Sequence, residues 1–392
     1  MKKIIFAIVI LICILMAFAR PKPSNELVFW TLQMNDYKEY IEGIIAEYES
    51  GHDVKIKWVD VPFSEGEKRT LSAILSDNPP DLINLNPDFS VMLAQKGALT
   101  YVDKGLLKDF TEEVVESLSY EGNVYGIPWY ATSAVTFYNS SYVKKSPSRF
   151  EELQKLSKGL DVYVYMPTIS ENDTMLKILN KYGVNSFENI NSDESVKVFE
   201  MFKKMYDAGG IPKESVTQTH REALEKYMSG QVAIFQGGAN FLNMIKENAP
   251  DVYNHTEVAP QIKGSIGQND FSLMNLVVPL RAKHSAEAID FGLFLTNEKN
   301  QLELAKLTNI IATNKNALKD EFYNKVNGNL TEKARSISAK QLANVVPVMR
   351  QHKNQKEINT LVNTAVQNIL IDNADIKKTL DELALNWQSI SE

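Results

Sequence analysis

The sequence predicts an α/β fold made of two successive sheet-and-helix units. Strand-like and helix-like hydrophobic periods alternate along much of the chain, the pattern starts afresh beyond residue 160, and 392 residues suffice for two domains. Hydrophobic residues make up 44% and charged residues 23%, ordinary for a chain that buries large cores. With 42 basic against 49 acidic residues the formal net charge is −7. No basic block offsets it, which argues against a nucleic-acid partner.

Residues 1–19 read as an export leader. Lys2 and Lys3 precede an apolar run from Ile4 to Phe18, and Ala17-Phe18-Ala19 supplies a small-x-small cleavage pattern. The run is shorter than the roughly 20 residues a spanning helix needs. Its removal would take the net charge from −7 to −9. The only cysteine, Cys13, lies inside it, so the mature chain would have no disulfide, thiolate nucleophile or cysteine-ligated metal. Ile10, Leu11 and Ile12 provide no small residue for lipid attachment at Cys13. Residues 20–26 form a charged, proline-punctuated spacer.

The first unit then begins. Leu27 to Thr31 reads as a buried strand, and Tyr37, Tyr40, Ile41, Ile44, Ile45 and Tyr48 mark one helix face. Val54, Ile56 and Trp58 alternate with lysines, as in a half-exposed edge strand. Ser64 with Glu67 predicts a capping box for a helix running to Leu75. Pro79 and Pro80 end it, and Asp81 to Leu85 is a third strand. Such alternation predicts parallel strands with right-handed crossovers. In the stretch Tyr125 to Asn139, Gly126 and Pro128 break any helix before a strand rich in aromatic and β-branched residues. Trp129 and Tyr130, at its start, suit either a core or the mouth of a cleft.

The second unit holds strands at Asp161 to Met166, Gln231 to Phe235 and Phe271 to Leu280. Between them Val198, Met201, Phe202 and Met205 mark a helix closed by Gly209-Gly210. The remainder reads as helical, ending on a face of Ile376, Leu380, Leu383 and Trp387. Signals of catalysis are absent. No GxSxG elbow, Walker loop or GxGxxG turn occurs, and the five histidines show no metal-ligand spacing. The pairs Glu112-Glu113 and Glu151-Glu152 suit solvated helix starts. The expectation is a binding protein, with no enzyme activity, cofactor or metal.

Taken in order, several segments resemble the bacterial extracellular solute-binding proteins of the maltose-binding, carbohydrate-uptake type. They are LVFWT, SDNPPDLINL, LAQKGALTYVD, EGNVYGIPWYATSAVTFYNSSYV, SPSRFEEL and MSGQVAIFQGG, with the helical stretches from Ala286 onward. The resemblance implies a two-lobed periplasmic-binding-protein-like fold, each lobe a mostly parallel sheet flanked by helices, closing about a hinge on a ligand between them. It assigns residues 27–131 and 263–311 to the N-lobe and 132–262 and 312–392 to the C-lobe. It places crossings near Tyr130–Ala134, Val258–Ile262 and Asn309–Thr313, with Thr132, Ser133 and Ala134 as hinge residues. It implies that Trp30, Gln33, Asp88, Trp129, Tyr130, Gly238, Asn240 and Phe241 face the ligand; for Trp30 a core position, and for Asp88 an N-cap, are the rival roles.

Two departures qualify the likeness. Tryptophan, common in the family two residues after the equivalent of Gly238, is replaced by Asn240 followed by Phe241, and there is no lipid-attachment motif. With no Arg or Lys among those cleft positions, the implied ligand is a neutral mono- or oligosaccharide, passed to the permease subunits of an ABC importer. The protein would be an exported monomer, periplasmic or at the cell surface, either released or held at the membrane by an uncleaved leader, with no nucleic-acid partner. An exported glycan-acting enzyme and a ligand-dependent partner of a sensor or chemoreceptor are the alternatives.

Overall fold

The computed structural model describes residues 26–169, 173–308, 310–342, 345 and 354–391. The predicted leader and nearly all of the spacer lie outside them. In chain order the strands are β1 (Glu26–Leu32), β2 (Lys55–Val61), β3 (Leu82–Leu85), β4 (Ser119–Tyr120), β5 (Asn123–Val124), β6 (Ile127–Thr132) and β7 (Val135–Asn139). They continue as β8 (Tyr163–Tyr165), β9 (Val232–Gly237), β10 (Thr256–Ala259), β11 (Ser272–Val277) and β12 (Ile311–Ala312). One lobe carries a six-stranded sheet in the order β12-β6-β11-β3-β1-β2, the other a four-stranded sheet in the order β10-β7-β9-β8, and β4 and β5 form a small hairpin.

Strand direction follows from the chain's passage between lobes. β1 pairs in parallel with β2 and β3, the crossovers being helical. β6 runs out of the first sheet and continues into β7, whereas β11 brings the chain back, so these neighbours are antiparallel. Thus β1, β2, β3 and β6 share one direction against β11 and β12, and β8, β9 and β10 share one against β7. The expected parallel majority holds for direction, but most hydrogen-bonded neighbours are antiparallel, a consequence of threading one chain through both lobes. β2, with its alternating lysines, is an edge strand of the large sheet, as β12 is at the other side.

The first sheet is covered on both faces. Leu27 and Phe29 of β1 face a core completed by the helices Lys38–Gly51, Ser285–Leu295 and Glu298–Thr308. Leu32, with Trp30 beside it, faces the opposite core under the helices Gly66–Ile74 and Pro87–Gln95. In the second lobe the helices Asp193–Asp207, Gln355–Leu370 and Ile376–Ser391 pack in one core. The helices His220–Met228 and Phe241–Asn248 pack in another. The predicted capping box at Ser64–Glu67 does not form. Ser64 belongs to a 3₁₀ turn, Phe63–Glu65, and the helix starts at Gly66, which puts Glu67 one position too early to reach back. A capping box occurs instead at Thr219–Glu222.

The crossings fall partly elsewhere than the resemblance implied. Ala131 belongs to the first lobe's core and Val135 to the second's, so the first crossing is at residues 132–134. The second comes at residues 269–271 rather than 258–262. Lys263 still pairs with Arg149, the Ile266 amide bonds to Lys181, and Phe271 is the first residue back in the N-lobe core. Asn309 lies outside the described residues, but Ala312, Ala317 and Tyr323 all pack in the first lobe, so the third crossing follows Tyr323. It runs through the helix Leu330–Gln341, whose Leu330, Ala334 and Ile337 pack on the second lobe, while Ala339 and the following Leu342 pack on the first.

Trp129 is not a cleft residue. Period-2 alternation along β6 turns Ile127, Trp129 and Ala131 into the core, where Trp129 is fully buried, its ring centroid 6.2 Å from that of Phe29. Its indole Nε1 finds no hydrogen-bond partner among the described residues. Trp129→Ala should therefore cost about 3–5 kcal/mol of stability. Trp129→Phe, which removes the unpaired N–H and less volume, should cost clearly less. Chemical denaturation of the two variants checks this ranking, and ligand affinity of the folded fraction should be unchanged.

Candidate functional site

The three crossings meet in a buried polar knot. The Ser133 hydroxyl accepts from Gln261 Nε2 and from Gln341 Nε2, both at 2.9 Å, and lies 3.2 Å from the Asp270 carbonyl to which it donates. Gln341 Nε2 also donates to the Ala134 carbonyl at 2.8 Å, while its Oε1 accepts from the Gln261 amide at 2.7 Å. Gln261 uses its whole side-chain amide. Nε2 reaches Ser133 and the Asp270 carbonyl (2.8 Å), and Oε1 accepts from the Asp270 amide (3.1 Å) and Lys181 Nζ (2.9 Å). Ser338 adds a bond to the Ser133 carbonyl at 3.0 Å. No hydrophobic packing could tie three chain passages at one point with this directionality.

Two cavities open on either side of this knot. One, of about 290 Å³, lies between Gln33, Tyr37, Tyr130 and Ile311 of the first lobe and Gly238, Asn240 and Ser338 opposite. The other, of about 270 Å³, lies deeper against the second lobe, with Thr132, Ala134 and Asp270 at the crossings and Tyr165, Lys177, His220, Gln236 and Gln261 in its wall. Thr132 and Gly238 border both, so the two form one cleft.

The first wall is shaped by a carboxylate. Asp60 accepts from the Thr31 hydroxyl (2.6 Å) and from the amides of Met34 (2.8 Å) and Asn35 (3.0 Å). These bonds, with the Gln33 amide on the Val61 carbonyl, turn the chain sharply after β1 and hold Gln33 at φ +53°. Such a left-handed conformation costs an L-residue about 1–2 kcal/mol, here offset by charge-assisted bonds. It brings Gln33 and Tyr37 to the cleft beside Tyr130, whose phenol is pushed well above its ordinary pKa by burial and by Tyr37 and Asp60.

Of the predicted ligand-facing residues, Gln33, Tyr130, Gly238 and Asn240 line the cleft, as do Thr132, Ser133 and Ala134. Others do not. Trp30 packs against the core on the far face of the first sheet, and Trp129 is core. Phe241 points back into the second lobe, 5.9 Å from the Phe235 ring and 5.4 Å from that of His220. Asp88 lines neither cavity. Asn86, not Asp88, caps the helix Pro87–Gln95 by accepting from the Phe89 amide at 2.8 Å. Asp88 instead looks across to Asp173 and Lys177 of the second lobe. Burial and Asp173 push its carboxyl up to about 6 although water still reaches it, and Lys177 opposes them.

Sequence reasoning missed Tyr37, which reads as one more member of a helix stripe, and the polar residues Lys177, Lys181, Gln236, Gln261 and Asp270. The expectation of a cleft without lysine is also overturned, because Lys177 and Lys181 border the deeper cavity. Each faces a carboxylate, Lys181 at 3.1 Å from Asp270 and Lys177 at 3.2 Å from Asp173.

Comparison with known proteins agrees with this architecture. A profile of the family described as bacterial extracellular solute-binding protein matches residues 43–329, well over half of the chain. The galactooligosaccharide-binding protein of Bacillus subtilis (strain 168) is 23% identical over 387 residues, 92% of this chain and 88% of that one. A maltooligosaccharide ABC transporter solute-binding lipoprotein of Streptococcus pneumoniae is 30% identical over 139 residues, 34% of this chain and 32% of the other. Among solved structures, a periplasmic-binding protein from Synechococcus sp. MITs9220 assigned to oligosaccharides superposes with a TM-score of 0.85 at 26% identity, covering 93% of this chain and 98% of that one.

The raised Asp88 carboxyl gives a pH signature. Its value in the folded protein lies above the ordinary 3.8, so its contribution to stability is fully present below about pH 4 and is lost as pH rises through about 6. Asp88→Asn should therefore gain melting temperature relative to the parent above pH 6 and match it near pH 4. The gain should be small because the side chain is solvated. Thermal melts of both proteins from pH 4 to 8 read the difference.

Proposed function

The chain belongs to the bacterial extracellular solute-binding protein family, and on that premise we propose that it is the capturing component of an ABC importer for a neutral oligosaccharide. The observation that carries this reading is the cleft itself. It has walls from both lobes, its floor is the crossing of the chain, and its lining combines half-buried aromatic rings with amide and hydroxyl groups. Sugar rings present C–H faces that pack on aromatics, here Tyr37 and Tyr130, and hydroxyls that need convergent donors and acceptors once water leaves. Gln33 and Asn240, one from each lobe, line the same cavity and suit that role.

Neutrality of the ligand is supported by charge balance rather than by a lack of lysine. Lys177 and Lys181 each have a carboxylate partner, so neither needs an anionic ligand for compensation. Size points to more than one sugar unit. Each cavity alone falls just short of the roughly 300 Å³ at which small-molecule sites begin, while the two together lie well inside that range. Closure would turn the lobes about Thr132–Ala134, and the ligand would leave unchanged for a membrane permease. The protein would act outside the cytoplasmic membrane. Among the described residues no helix is long and apolar enough to cross one.

Calorimetric titration of the protein lacking residues 1–19 with maltose, maltotriose, galactobiose and N,N′-diacetylchitobiose tests this. At least one should bind, with a fall in radius of gyration by X-ray scattering. Tyr130→Ala should weaken that ligand roughly 10- to 100-fold. Binding of an anion, peptide or metal ion, with none of a neutral saccharide, would contradict the carbohydrate assignment.

A further inference from the structure

The deeper cavity has an acceptor built into its floor. Asp270 sits where the chain returns to the first lobe, and its side chain is 31% exposed, toward the cavity it lines. Behind it lies Lys181, only 3% exposed, whose ammonium meets three acceptors: Asp270 Oδ2 at 3.1 Å, Gln261 Oε1 at 2.9 Å and the Ile262 carbonyl at 3.2 Å. An ammonium has three hydrogens, so this one is fully used and has none to offer a ligand. Gly264 backs the Lys181 main chain so closely that any Cβ there would collide with the Lys181 carbonyl. Lys181 is thus held from both ends.

Asp270 is aimed as firmly. Its amide donates to Gln261 Oε1 and its carbonyl accepts from Gln261 Nε2 and Ser133 Oγ, so backbone and side chain are both fixed. Burial alone would raise its pKa, but Lys181 and Lys177 beside it hold the carboxyl below the usual range. A carboxylate is acceptor-only, and one whose charge is balanced from behind has no need of a cation in front. Hydroxyl hydrogens are what such a group can take.

The geometry points to Asp270 as the residue through which the deeper cavity reads its ligand, accepting hydroxyl hydrogens from one sugar unit while Lys181 holds it in place. This inference rests on the proposed function. It adds a named specificity residue and gives binding a direct route to the crossing, because the Asp270 main chain shares its partners with Ser133. Lys181 acts through Asp270 and is a positioning residue.

The test uses the tightest disaccharide of the panel and its monodeoxy analogues with three proteins: the parent, Asp270→Asn and Lys181→Met. Asp270→Asn should weaken the disaccharide about 10- to 100-fold. At least one analogue that binds the parent markedly less well should lose little more in Asp270→Asn, the non-additivity of a direct contact. A purely structural role would lower every affinity in proportion. Lys181→Met should make affinity fall more steeply than the parent's as pH is lowered, because only Lys177 then opposes the burial of the carboxyl. Affinity of Asp270→Asn within twofold of the parent, additive losses for every analogue, or a pH profile in Lys181→Met no steeper than the parent's would overturn the inference. If Asp270→Asn does not fold, the analogue series on the parent and the Lys181→Met profile still decide. Failure of the parent to bind any saccharide would instead remove the proposed function, and this inference with it.

Discussion

Ser133 Oγ takes part in three hydrogen bonds in a largely buried site, with Gln261, Gln341 and the Asp270 carbonyl, and these join three separate passages of the chain. Each such bond is worth only about 0.5–1.5 kcal/mol net. Losing a partner is a different matter, since an unsatisfied buried donor costs about 1–3 kcal/mol. Removing the hydroxyl would strand two amide donors at once. The knot is therefore robust when complete and poor when incomplete, which is what a fixed pivot between two lobes requires. The cavities on either side inherit their shape from it, because Ser133, Gln261, Asp270 and Ser338 belong both to the knot and to the cleft lining.

The same passages explain the sheets. A chain that leaves one lobe as β6 and returns as β11 must lay those strands side by side in opposite directions, so the first sheet cannot be all parallel. β12 then closes the edge, and its continuation is locked by Gln301, whose Oε1 accepts from the amides of Thr313 (2.6 Å) and Asn314 (2.9 Å). This lock keeps residues 311–323 in the first lobe and defers the third crossing to the helix Leu330–Gln341, which packs on both lobes. The inter-lobe geometry is thus carried by side-chain amides, while the lobes themselves are held by ordinary apolar cores.

Much of this was legible in the sequence, and the boundary is physical. Periodicity located β1, β2, β3, β9 and β11 and the helix faces at Ile41–Tyr48 and Leu380–Trp387, because burial imposes a period on apolar residues. The aromatic run from Tyr125 pointed to a strand but left Trp129 and Tyr130 open between core and cleft, and the resemblance put both in the cleft. Alternation fixes only that Trp129 and Tyr130 face opposite ways, and it is the core under Phe29 that claims Trp129. The polar groups gathered about the crossings left no trace. Lys181, Gln261, Asp270 and Gln341 are scattered over 160 residues and look like any surface polar residue until the fold gathers them. The Asp88 misreading has a similar cause, since Asn86, two positions earlier, makes an equally good cap and has the geometry for it.

If the knot is the fixed point of the molecule, its amides must be as inert as those of the sheets. The Gln261 and Asp270 N–H groups belong to no strand ladder and donate only to side-chain oxygens, Gln341 Oε1 and Gln261 Oε1. Residue-resolved hydrogen exchange on the unliganded protein therefore isolates them. Protection of both amides equal to that of the neighbouring β6 and β7 amides, falling selectively in Ser133→Ala, is the predicted result. Exchange at the rate of exposed loops in the parent protein, or protection unchanged in Ser133→Ala, would contradict the account.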